Sequence, residues 1–231
     1  MKRFFKTAAV GETPAGFSVL LDGKPIRTPA KAPLVVRSKK LAEAIAAEWQ
    51  AQGDTIKPSG LPLTRLAGTA IDLVAQRRKQ IVAEIAKYAT TDLVCYRAEE
   101  PSELAGRQQR AWQPHLDWAS ARFAPLAITA GVTPIAQTAD ALATYRRAVA
   151  AYDDMTLAAL HLATATLGSL VLALALIEGR IAADEAFAAA ELDQSFQIER
   201  WGEDAEATAR RAAVRDDVTL AARFAALHRA V

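Results

Sequence analysis

The chain contains three histidines and one cysteine, the side chains that most readily act as bases, nucleophiles or metal ligands, and their spacing limits each role. His115 and Asp117 stand two residues apart, so on a helix they point in different directions and do not form a charge relay. His161 lies in an uncharged run where burial perturbs a base, but a hydrogen-bonded interior histidine is the plainer reading. Cys95 as a nucleophile needs a base and an electropositive pocket, and spacing assigns it neither. A small buried hydrophobe suits it better. His115, His161 and His228 are scattered and Cys95 stands alone, so no chelating set is visible. There is no G-x-x-x-x-G-K-[ST] loop and no G-x-G-x-x-G after a strand. The expectation is a protein with no catalytic residue, no cofactor and no metal.

With 231 residues, 52% of them hydrophobic and 23% charged, the chain can bury a sizeable core and accommodates two unequal domains. Its formal charge of +2 demands no polyanionic partner. The charges are unevenly placed, however. Residues 1–40 carry nine basic side chains against Glu12 and Asp22, whereas residues 178–206 carry nine acidic ones against Arg180 and Arg200. A lone cysteine excludes an internal disulfide and suits a reducing compartment. The basic start lacks the apolar stretch and small-residue cleavage site of a secretory signal, so the fold is expected to begin almost at once. Residues 155–177 carry no charge, and ~20 apolar residues can span a bilayer. Thr156, His161, Thr164, Thr166, Gly168 and Ser169 interrupt that run, and no Trp or Tyr belt flanks it. A helix surrounded by others accounts for it, and no stable membrane insertion is expected.

From Phe4 to Val36, short apolar runs are separated by Gly and Pro. Phe17, Val19 and Leu21 alternate ahead of Asp22-Gly23, a dipeptide suited to a tight hairpin. The following strand, near residues 24–28, is limited by Pro25 and Pro29 and belongs at a sheet edge. Ser38 is an N-cap for a helix ending near Gly53, with Leu41, Ile45 and Trp49 on its core face. Beyond Pro58, Gly60 and Pro62 the sequence turns Ala-rich. Helices are predicted over 76–93, 102–122, 138–152, 155–178, 183–200 and 204–229, with Gly179 closing the fourth. Ile81, Ile85 and Tyr88 form one apolar stripe and Leu220, Phe224 and Leu227 another. Trp112 and Trp118 lie six residues apart and face different ways, so at least one is exposed or at a domain junction. The fold class is α+β: a small β-rich domain with one or two helices over 1–75, then a larger all-α domain over 76–231.

Several segments, in order, carry a resemblance to a known family. They begin with Lys2-Arg3-Phe4-Phe5-Lys6, Leu21-Asp22-Gly23-Lys24-Pro25 and Thr28-Pro29-Ala30-Lys31. Glu48-Trp49, Ile56-Lys57-Pro58, Pro62-Leu63-Thr64 and Thr69-Ala70-Ile71-Asp72 follow, then Thr91-Asp92-Leu93-Val94-Cys95-Tyr96-Arg97 leading to Glu100-Pro101. Further on stand Gln109 with Trp112-Gln113-Pro114, Leu174-Ala175-Leu176-Ile177-Glu178-Gly179-Arg180 and Gln197-Ile198-Glu199-Arg200-Trp201-Gly202. Together they resemble the F-type ATP synthase assembly chaperones that act on the alpha subunit. Gln113 stands where the family is acidic, and the residues after Trp201-Gly202 differ from those of mitochondrial relatives. Mitochondrial members carry an import presequence and this chain starts at the shared motif, so the resemblance implies a bacterial, cytoplasmic member.

That resemblance implies a holding chaperone, monomeric on its own, that binds the unassembled alpha subunit and prevents its aggregation until the beta subunit replaces it. Such a cover needs neither ATP nor a catalytic residue. For the contact, an aromatic anchor rimmed by charge combines affinity with orientation. Trp201 with Glu199, Glu203, Asp204 and Glu206 is that combination; acids at a helix start also complement the helix dipole while facing solvent. One rival class is a nucleic-acid-binding module using the basic N-terminal region, but stacking aromatics are sparse there and nucleic acid is not the expected partner. Another is a small-molecule enzyme, which would need a pocket holding both His115 and Cys95.

Overall fold

Strands β1 (Ala8–Thr13) and β2 (Gly16–Leu21) pair antiparallel, Ala8 opposite Leu21 and Thr13 opposite Gly16, in the computed structural model, which describes residues 1–131, 133–202 and 204–230. The other edge of β2 is shared. β3 (Lys24–Pro25) pairs with its end through Leu21–Lys24, and β4 (Val35–Val36) with its start through Phe17–Val36. The turn between β2 and β3 is the expected Asp22-Gly23, both at positive φ (47° and 81°), the combination a two-residue hairpin with right-handed strand twist needs. Alternation puts Val19 and Leu21 in the core. The strand expected over 24–28 is short because Pro25 and Pro29 supply no N–H.

Against this sheet lies α1 (Lys39–Gln50), capped by Ser38, whose hydroxyl accepts from the Leu41 amide at 3.3 Å. Leu41, Ala42, Ile45 and Ala46 are its buried face. Trp49 was expected on that stripe and is only half-buried, edge-on to Phe5 at 5.8 Å. α2 (Pro62–Thr69) starts with proline, whose missing N–H is not needed in a first turn, and widens into a π-turn over Ala70–Val74. This compact unit comprises Met1–Arg78 together with Asp153–Ala159 and Arg223–Val231. The late segments are anchored by Ser38 Oγ, 2.6 Å from the Leu227 carbonyl, and by His228 Nε2, 2.8 Å from Asp153 Oδ2.

The second unit, Lys79–Tyr152 with Leu160–Ala222, is mostly helical. Its helices are drawn from α3 (Ala75–Lys87), α4 (Ser102–Arg122), α5 (Ala139–Ala150), α6 (Asp154–Leu167), α7 (Leu170–Ile177), α8 (Ala183–Ala190), α9 (Leu192–Trp201) and α10 (Ala205–Arg229). A two-residue parallel pair, β5 (Tyr96–Arg97) with β6 (Thr129–Ala130), adds a strand contact the sequence reading lacked. All eight residues of α7 are buried, packed on α4 and α8, which explains the uncharged stretch over 170–177. No helix among the described residues is long and apolar enough to cross a membrane.

Two predicted helices are broken. The one over 155–178 splits at Gly168, at φ 64°, and Ser169, whose hydroxyl caps α7 by accepting from Leu172 N at 3.0 Å. The one over 183–200 splits at Glu191, a nearly buried carboxylate 3.1 Å from both Arg210 and Arg211. The helix over 76–93 stops at Lys87 and continues as 3-10 turns. A small strand-rich N-terminal region precedes a mostly helical remainder.

Candidate partner-binding surface

Helix α9 delivers Trp201 to the surface, where it is 77% exposed, the most exposed of the large apolar side chains among the described residues. Gly202, at φ 85°, then turns the chain out of the helix. Asp204 opens α10 as its cap: its carboxylate accepts from Ala207 N at 2.7 Å and its carbonyl from Thr208 N at 3.0 Å. Glu206, in the first turn, is exposed. Glu203 lies outside the described residues.

Glu199 has a different environment. Both its carboxylate oxygens accept from Arg107 Nη1, at 2.9 and 2.7 Å, while Arg107 Nη2 donates to Glu103 and Arg200 Nη2 donates to the other oxygen of Glu103. The two guanidinium groups lie over the Phe196 ring, 5.2 and 4.2 Å from its centroid. Hydrogen bonds from Arg107 and Arg200 hold the exposed Glu103 carboxyl below the ordinary carboxylate range. This lattice ties α4 to the last turns of α9. Sequence reasoning missed it, although Glu103–Arg107 and Phe196–Arg200 both have the i, i+4 spacing of helix neighbours.

The structure thus brings Trp201, Asp204 and Glu206 to one helix junction, with Glu199 turned to Arg107. The remaining titratable side chains are placed elsewhere. Cys95 is fully buried, and desolvation pushes its thiol up to about 12. His115 is also buried, and burial lowers its pKa, whereas Asp117 is exposed and accepts from Gln113. His161 is not interior: its side chain is 42% exposed, 3.6 Å from Glu84. Among the described residues no cluster of His, Cys, Asp and Glu is arranged to hold a metal. Trp112 is wholly buried and donates to the Ala189 carbonyl at 2.8 Å, while Trp118 is half-buried beneath Arg180.

Residues of the family-like segments meet one another in pairs. Glu48 accepts from the amides of Leu63 and Thr64 at 2.6 and 2.9 Å, so Glu48-Trp49 and Pro62-Leu63-Thr64 form one joint. Asp72 accepts from Thr28 Oγ1 at 2.6 Å and Ala30 N at 2.9 Å. Asp22 accepts from the amides of Lys6 and Thr7, which lowers its pKa. Asp92, fully buried, accepts from Ser169 Oγ at 2.5 Å and Val171 N at 3.0 Å, and desolvation raises it to about 6.

Residues 2–120 match the family model described as ATP12 chaperone protein. The chain belongs to the ATP12 chaperone family. It is therefore a chaperone of ATP synthase assembly and not an enzyme. The crystal structure of Atp12 from Paracoccus denitrificans is similar to it with a TM-score of 0.95 and 42% identity, covering 99% of this chain and 98% of that one. The Atu1473 protein of Agrobacterium tumefaciens is similar with a TM-score of 0.89 and 42% identity, over 97% and 84% of the two chains. A mitochondrial atp12 protein of Schizosaccharomyces pombe is 23% identical over 214 residues, which cover 87% of this chain and 74% of that protein.

Proposed function

We propose that this chaperone holds the unassembled alpha subunit of a bacterial F-type ATP synthase in the cytoplasm, as a monomer, and yields it to the beta subunit. The observation that carries the contact is Trp201, exposed at the end of α9 and followed by the acids that open α10. A solitary indole of this exposure in a chain with a well-formed core is suited to act as an anchor, and the contact is proposed to include the acids Glu199, Glu203, Asp204 and Glu206. Glu199 is held by Arg107, whereas Glu206 is exposed and forms no ion pair among the described residues. Holding requires only that the cover be weaker than the assembled interface. Release by competition then needs no nucleotide.

The test is co-expression with the cognate alpha and beta subunits separately, followed by copurification without ATP. Recovery of soluble alpha but not beta is expected. Recovery of neither sinks the reading, and recovery of beta alone reassigns the client.

A further inference from the structure

We propose that a trough on the N-terminal unit takes an extended apolar client segment flanked by acidic residues, as a contact surface separate from the α9–α10 junction. The inference rests on the holding-chaperone reading and adds the chemistry of what is held. Two hollows of about 420 and 570 Å³ share Arg27 and Trp49 in their walls. One is lined by Phe4, which is 63% exposed, and the other by Leu73, which is 38% exposed. Large apolar side chains left in water at both hollows are ready contacts for an apolar segment.

The charge around the trough specifies the partner further. Lys24, Arg27 and Arg65 line it, are exposed, and form no ion pair among the described residues. The acids in the same walls, Asp22 and Asp72, already accept from the unit's own backbone or hydroxyl groups. The available field is therefore positive and favours acidic flanks. Pro25 and Pro29 in the walls lack N–H groups, so recognition falls to side chains and not to an added strand. In the shared wall the indole N–H of Trp49 is buried without an acceptor among the described residues, which marks a stretch where the unit's own hydrogen bonding is incomplete.

The test uses the full chain and three fluorescent probes read by anisotropy: a peptide of alternating Val and Ser with Asp at both ends, its Lys-ended twin, and a short single-stranded oligodeoxynucleotide. Saturable binding of the Asp-ended peptide is expected, with the twin roughly tenfold weaker. The combined Lys24→Glu, Arg27→Glu and Arg65→Glu variant is expected to lose roughly tenfold in affinity while its Tm is unchanged, and Leu73→Ser to weaken binding at the same Tm. Trp201→Ala leaves it unaltered. Absence of saturable binding, equal binding of the twin, or tighter binding of the oligonucleotide overturns the proposal. The alpha subunit is absent from this assay, so the two readings fail separately. Peptide binding without retention of alpha removes the client assignment, and retention of alpha without peptide binding removes the trough.

Discussion

At the joint around Asp92, a carboxylate is sealed inside the helical unit and fully engaged, whereas at the α9–α10 junction Trp201 and Glu206 face water. Both regions stand in segments with a family resemblance, yet they differ in what their residues touch. Asp92 holds the break between α6 and α7 by binding Ser169 and the Val171 amide, and Glu48 does the same for the start of α2. Such residues are demanded by the fold itself. The second region makes no comparable internal demand on Trp201, so its chemistry is available to a partner.

If this contrast holds, Asp92→Ala has the largest effect on stability, about 3 kcal/mol in urea unfolding, because it leaves buried donors without an acceptor. Asp92→Asn retains an oxygen and is expected to cost about 1 kcal/mol. Glu48→Ala should lower stability by about 2 kcal/mol through loss of the α2 cap, with Glu48→Gln recovering part of it. A loss of alpha retention in Glu48→Ala beyond its loss of folded protein would blur the contrast.

The pH dependence sharpens it. Burial raises Asp92 to about 6, so between the ordinary carboxylate value near 3.8 and about 6 the folded state binds a proton that the unfolded state has released. Its contribution to stability therefore falls as pH rises from about 4 to about 6 and is flat above. The difference in urea midpoint between wild type and Asp92→Asn should move across that window in favour of the Asn variant. Asp153 has the opposite sign, since its hydrogen bond to His228 lowers its pKa. Its stabilisation is present above the ordinary carboxylate value and is lost on acidification below it.

The smallest stability changes belong to the exposed junction. Trp201→Ala should alter unfolding by less than about 0.5 kcal/mol while greatly reducing recovery of alpha. Glu206→Lys should be equally silent in unfolding and act chiefly on the association rate and its salt dependence. A destabilised Trp201→Ala protein would make the two regions alike.

Much of the fold was legible from local chemistry. Asp22-Gly23 announces its hairpin, Ser38 its helix, and the Leu41–Ile45 spacing its buried face. The broken helices were not legible, because Gly168-Ser169 and Glu191 are tolerable within a helix until distant groups hold them out of it. Those groups are Asp92, 77 residues from Ser169, and the Arg210–Arg211 pair. Trp49 escaped in the same way: its spacing places it on the core stripe, but the trough beside it is made by segments 27–29 and 64–73. For the candidate surface, Trp201 and the acids were visible in sequence, and the Arg107 clamp on Glu199 was not.

The most direct measurement of the central claim is light scattering from alpha subunit diluted out of denaturant, with and without the purified chaperone and with no nucleotide present. The account predicts that a near-equimolar amount of wild-type chaperone suppresses scattering, that added beta subunit draws alpha into a larger assembly, and that Trp201→Ala protects poorly. Aggregation of alpha at an unchanged rate beside wild-type chaperone, or protection that appears only with ATP, would contradict it.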